Sequence, residues 1–66
     1  MPYRYWMHWY ADPEAPLKTG RALPGRTQAD AIAQATALWK EWVHAAAHGC
    51  CVVDTDDGAI LWRREH

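Results

Sequence analysis

Between Tyr3 and Tyr10 the chain reads Tyr-Arg-Tyr-Trp-Met-His-Trp-Tyr, a density of aromatic residues that predicts a β-strand. Alternation puts Tyr3, Tyr5, Met7 and Trp9 on one face, the expected core face, and Arg4, Trp6, His8 and Tyr10 on the other. Two large rings therefore remain on the side that points away from the core. The stretch that follows, through Asp12-Pro13-Glu14-Ala15-Pro16, is a loop, because each proline removes a backbone donor and biases its predecessor away from helix. A short edge strand is expected around Thr19 to Leu23, closed by a turn at Pro24-Gly25.

Thr27 with Asp30 has the spacing of a capping box and stands directly before an alanine-rich segment, which predicts a helix from Gln28 to about Ala47 ending on a left-handed Gly49. Helical spacing gathers Ile32, Ala35, Thr36, Trp39, Val43 and Ala46 on one stripe, with Asp30, Gln34, Ala37, Glu41 and His44 opposite. Ala31, Leu38 and Trp42 widen the apolar arc into a second shoulder. Beyond the helix, Cys50 to Asp54 and Ala59 to Arg64 form a hairpin about Asp56-Asp57-Gly58. A two-residue turn at Asp57-Gly58 would set Val53 opposite Trp62 and place Cys51, Val53, Ile60 and Trp62 on one face, with Cys50, Val52 and Leu61 on the other. The predicted fold is α+β, one long amphipathic helix packed on a three- to four-stranded mainly antiparallel sheet, in the order β-(β)-α-β-β, as a single domain over residues 1–66.

One helix covers one face of such a sheet, yet both faces carry apolar side chains. The surplus is the main functional signal. Contiguous exposed apolar surface commonly marks an interaction site, and Trp, Tyr and Arg are the residue types enriched at binding hot spots. The candidate partner-binding residues are therefore Arg4, Trp6, Tyr10, Trp42, Trp62, Arg63 and Arg64.

Composition narrows the alternatives. At 66 residues a single small core leaves little margin of stability, so a disulfide, a metal or a second copy of the chain is the expected reinforcement. Cys50 and Cys51 are the only cysteines, and being adjacent they cannot close a useful loop. Free thiols and a start without a signal-like apolar run point to a cytoplasmic location, and no apolar stretch is long enough for a membrane helix. Seven Lys+Arg against eight Asp+Glu give a net charge of -1, which supplies no global field for nucleic acid.

His44, His48 and the two cysteines have spacing reminiscent of zinc ligands, but no second ligand pair accompanies them, so no metal is expected. Asp54, Asp56 and Asp57 with Gly58 lack the distal ligand of a calcium loop and are assigned to the turn. The chain has no serine, and a thiol paired with His48 is the one remaining nucleophile arrangement, so no catalytic residue and no cofactor are assigned.

Leu23-Pro24-Gly25 followed by Thr27-Gln28 and Asp30 resembles the segment that enters the helix in HicB-type antitoxins, over about a dozen residues and with altered spacing. No function is carried across from that resemblance. The reading from the residues is a small non-enzymatic protein-binding module, expected to self-associate as a homodimer and to act as an adaptor or inhibitor. Its composition suits a bacterial or phage source, where anti-defence proteins of this size occur. The alternative is a binder of single-stranded nucleic acid through an aromatic, arginine-bearing sheet face.

Overall fold

The computed structural model describes residues 3–14 and 19–66. Residues 1–2 and 15–18, the latter including the end of the expected loop, lie outside the described residues. Four strands, β1 (Tyr5–Tyr10), β2 (Thr19–Leu23), β3 (Gly49–Asp54) and β4 (Ile60–Glu65), make one sheet in the order β2-β1-β3-β4, and every neighbouring pair is antiparallel. Between β2 and β3 runs helix α1 (Gln28–Leu38), which continues through a π-helical turn (Trp39–Val43) into a last α turn (His44–Ala46). The fold is thus α+β, and the edge strand anticipated at Thr19 to Leu23 is present.

Helix α1 begins where its sequence signals. Thr27 is extended, and its hydroxyl accepts the Asp30 N–H at 3.2 Å, satisfying one of the donors that a first helical turn leaves free. The buried residues Ala31, Ala35, Trp39 and Val43 follow one another at steps of four. In a uniform α-helix that spacing drifts round the axis, but the wider π turn winds less per residue and holds Trp39 and Val43 on the buried side. Ala31 consequently belongs to the core, whereas Ala46, placed on the buried stripe by uniform spacing, is exposed.

The far end of the helix departs from expectation. Ala47 turns extended at φ -140, and Gly49 is no left-handed cap but the first residue of β3. Its missing side chain serves a different contact. A Cβ at Gly49 would lie 2.6 Å from Glu65 Cγ and 2.7 Å from the Tyr10 hydroxyl oxygen, two groups that meet directly above it.

Helix and sheet residues share one buried cluster, made of Tyr5, Met7, Leu23, Ala31, Ala35, Trp39, Val43, Cys50 and Val52. Trp9, Leu38, Ala47, Leu61 and Trp62 pack against its margin. Tyr3, assigned by alternation to the core face, stands before β1 and is 43% exposed.

The β3–β4 hairpin is wider than a two-residue turn. Asp54 N–H donates to Ala59 O, Gly58 N–H donates to Asp54 O, and Gly58 takes the left-handed conformation at φ 74 that glycine accommodates without strain. A register shift between Val52 and Val53 then pairs Val53 with Ile60 but Val52 with Trp62. Leu61 is the extra residue of this β-bulge, and it and Trp62 both pack against the core. Trp62 therefore sits with Cys50, Val52 and Leu61, on the side opposite the one that a tight turn gives it.

Candidate functional site

Register alone builds the second face of the sheet. Ala22, Trp6, Val53 and Ile60 are successive cross-strand partners and form one transverse row over all four strands. Gly20, His8, Cys51 and Arg63 form the next row, and Tyr10, Gly49 and Glu65 the third. Among the described residues no second layer of secondary structure stands on this face, because the helical members of the core cluster all pack with the other one.

The three rows differ in character. In the first, Trp6 and Val53 are half-buried and Ile60 is 48% exposed, giving an apolar band. Trp6 stacks on His8, their ring centroids 6.3 Å apart, and the indole N–H of Trp6 and Nδ1 of His8 are buried without a hydrogen-bond partner. Such atoms cost free energy unless something pairs them. In the second row Cys51 is fully buried, with Arg63 across from it.

The third row is a closed polar clamp. The Tyr10 hydroxyl donates to Glu65 Oε2 at 2.8 Å, His48 Nε2 stands 3.5 Å from the same oxygen, and the Arg63 guanidinium lies 5.9 Å from the centre of the Tyr10 ring. Burial, then the hydrogen bond to Glu65 and its negative charge, push the Tyr10 phenol up to about 12, with Arg63 opposing. Tyr10 is thus a buried member of the sheet and not an exposed ring.

The remaining candidates lie elsewhere. Arg4 grips Asp54 through Nε and Nη2, at 2.9 Å for the closest pair, and also approaches Asp56 at 3.4 Å. The Arg4 carbonyl accepts both the N–H and the hydroxyl of Thr55, so this residue ties the hairpin loop to the start of β1. The Arg4 hydrogen bonds, helped by the Asp56 N–H, hold the Asp54 carboxyl below the usual carboxylate range. Asp57 Oδ1 accepts the Ala59 N–H, which completes a set of turn contacts for the acidic residues. Trp42, 40% exposed, meets Trp9 edge-on at 5.1 Å between ring centroids, beside the helix. Trp62 is half-buried against the core, and Arg64 pairs with Cys50 on the helix side.

The arrangement therefore brings together Trp6 and Arg63 with Val53 and Ile60, while Arg4, Trp42, Trp62 and Arg64 go to other places. Val53 and Ile60 were legible as partners of one face; their membership of a row with Trp6 required the β1–β3 pairing. The two thiols sit on opposite sides of β3, both fully buried. Burial pushes Cys50 up to about 11, reinforced by Cys51, and burial likewise raises Cys51 against the opposing effects of Arg63 and the His8 backbone. His44 and His48 part company, His44 Nδ1 lying 2.8 Å from Trp39 O while His48 faces Glu65. Among the described residues no three His, Cys, Asp or Glu side chains gather closely enough to hold a metal. Among the described residues no helix is long and apolar enough to cross a membrane. No known protein family, curated protein or solved structure matches the chain.

Proposed function

We propose that this protein is a small non-enzymatic protein-binding module, an adaptor or inhibitor, that docks through the open face of its sheet and pairs first with a second copy of itself. The observation that carries this reading is the transverse row Ala22, Trp6, Val53 and Ile60, an apolar band with no covering layer among the described residues. Full burial of such side chains is worth roughly 1.5 to 3 kcal/mol each. The row next to the band adds Arg63 to the same face. With principal extents of 27 × 23 × 16 Å, the broad side of the molecule offers roughly 600 Å² per partner, near the lower end for specific complexes. A reversible pairing is the expectation.

The nucleic-acid reading has less support. Of the arginines assigned to it, Arg4 is committed to Asp54, Arg64 is on the helix side, and Arg63 alone shares the face with Trp6. The raised thiols at Cys50 and Cys51 likewise favour binding over nucleophilic chemistry.

Light scattering across a micromolar to millimolar concentration series tests the reading. The expected mass rises from that of one 7.6 kDa chain toward twice that value, and Ile60→Asp holds the protein at the lower mass with an unchanged circular dichroism spectrum. Trp6→Ala weakens the pairing in the same direction. A wild type that stays a single chain at millimolar concentration removes self-association, and salt-sensitive binding of oligonucleotides abolished by Arg63→Ala transfers the face to nucleic acid.

A further inference from the structure

On the helix side, away from the open face, Trp39, Lys40, His44, Arg64 and His66 line a shallow cavity of about 280 Å³. Four of these five residues are basic and none is acidic, in a chain whose net charge is -1. The acidic residues nearest in sequence are directed elsewhere. Glu41 lines a different groove, beside Leu23 and Leu38, and Glu65 is bonded to Tyr10 on the open face. Among the described residues neither Lys40 nor Arg64 has a carboxylate within 4.0 Å.

The π turn is what assembles this set. Five residues along a regular α-helix correspond to about 140° of rotation, which would carry His44 well away from Trp39. Here the His44 N–H reaches back to Trp39 O across the wide turn, and Nδ1 of its ring approaches the same carbonyl at 2.8 Å. His66 Nε2 meets His44 O at 2.6 Å, and its ring lies over Trp39 with centroids 5.0 Å apart. Inserted π turns of this kind recur at functional sites.

The plain alternative is that the cations answer the negative end of the helix. That accounts for the inner nitrogens of His44 and His66, which cap the two carbonyls. It leaves Lys40, Arg64, His44 Nε2 and His66 Nδ1 with no Asp or Glu carboxylate within 4.0 Å among the described residues.

We propose that the cavity lined by Lys40, His44, Arg64 and His66 binds the dianionic phosphate of a small phosphate monoester. Arg64 offers a planar fork and Lys40 a point charge, the two cation types that hold phosphate oxygens. Each imidazole, its inner nitrogen turned to a backbone carbonyl, offers its outer nitrogen as a donor when the ring is protonated, and buried Trp39 backs the site with an apolar wall. At about 30 Å³ for each water in the liquid, the cavity has space for a phosphate group and a short organic stem. The cations form a single point and not a track, so the site fits a small molecule in preference to a polynucleotide.

Proton–nitrogen NMR titration at pH 7.5, with glycerol 3-phosphate as the probe, tests the proposal, since a monoester there is largely doubly charged. Saturable shifts are expected at the Trp39 indole and the Lys40, His44 and Arg64 amides, with inorganic phosphate binding less tightly and glycerol not at all. Arg64→Gln and Lys40→Gln should each weaken binding roughly tenfold, as expected for one charge-assisted hydrogen bond, with the rest of the spectrum intact. Ile60→Asp, on the opposite face, should leave it unchanged, which separates this site from the pairing surface. Absence of saturable shifts, or wild-type affinity in both cation variants, overturns the site. Equal affinity for inorganic phosphate overturns its assignment to a monoester.

Discussion

The phenol of Tyr10 and the carboxyl of Asp54 sit at opposite ends of β1 and β3 and shape the pH range of stability from opposite sides. Tyr10 is held neutral by burial and by donating to Glu65, so its folded value of about 12 lies above the value near 10 of an unfolded tyrosine. The stabilisation this represents is complete below about pH 10 and is lost as pH rises toward 12. Asp54 is held ionised by Arg4, so its contribution is complete above the unfolded carboxylate value near 4 and is lost as pH falls through the lower folded value. Thermal melts across the pH range should show both losses; Tyr10→Phe should reduce the alkaline one without abolishing it, because the raised Cys50 and Cys51 thiols lose stability in the same range, while Asp54→Asn flattens the acid one. An alkaline loss of undiminished size in Tyr10→Phe would assign it to the thiols alone. The aromatic density that makes β1 recognisable conceals this difference between its rings. Tyr10 and Trp6 alternate identically, and what separates them is a partner 55 positions away and a glycine under their meeting point.

At the scale of elements, local signals translated directly where they are local in cause. The Thr27 cap needs only the three residues that follow it, and the helix starts there. Thr27→Ala should therefore cost about 1 kcal/mol, read from urea denaturation, and no loss would mean that tertiary packing alone fixes the start of α1. The π turn and the bulge at Leu61 left no such mark. Each inserts one residue into a regular repeat so that bulky neighbours can reach the same core, Trp39 with Val43 in one case and Leu61 with Trp62 in the other. That requirement belongs to the assembled interior, and periodicity along the chain cannot express it. The same limit hid the basic cavity, whose residues come from the π turn, the α turn after it, β4 and the residue that follows β4.

For the molecule as a whole, the imbalance between one helix and a two-sided apolar sheet was visible from alternation, and the strand order locates it. Because β1 and β3 are the central strands, the second face is continuous from Ala22 to Ile60. Part of the apparent surplus is absorbed internally, by the inward turn of Trp62 and the Tyr10 clamp, which leaves a narrower band than the aromatic count suggests. The proposed pairing through that band would be correspondingly modest, and the concentration at which it set in would measure how much of the surplus survives folding.

Adjacent in β3, Cys50 points beneath the helix and Cys51 toward the uncovered face. The pair amounts to two built-in clocks, one timing how often the helix lifts and the other how often the bare side loosens. Alkylation of Cys51→Ser should follow the first and that of Cys50→Ser the second, and crowding the solution with more protein should slow the second alone. Equal slowing of both would mean that the chains meet by some other surface.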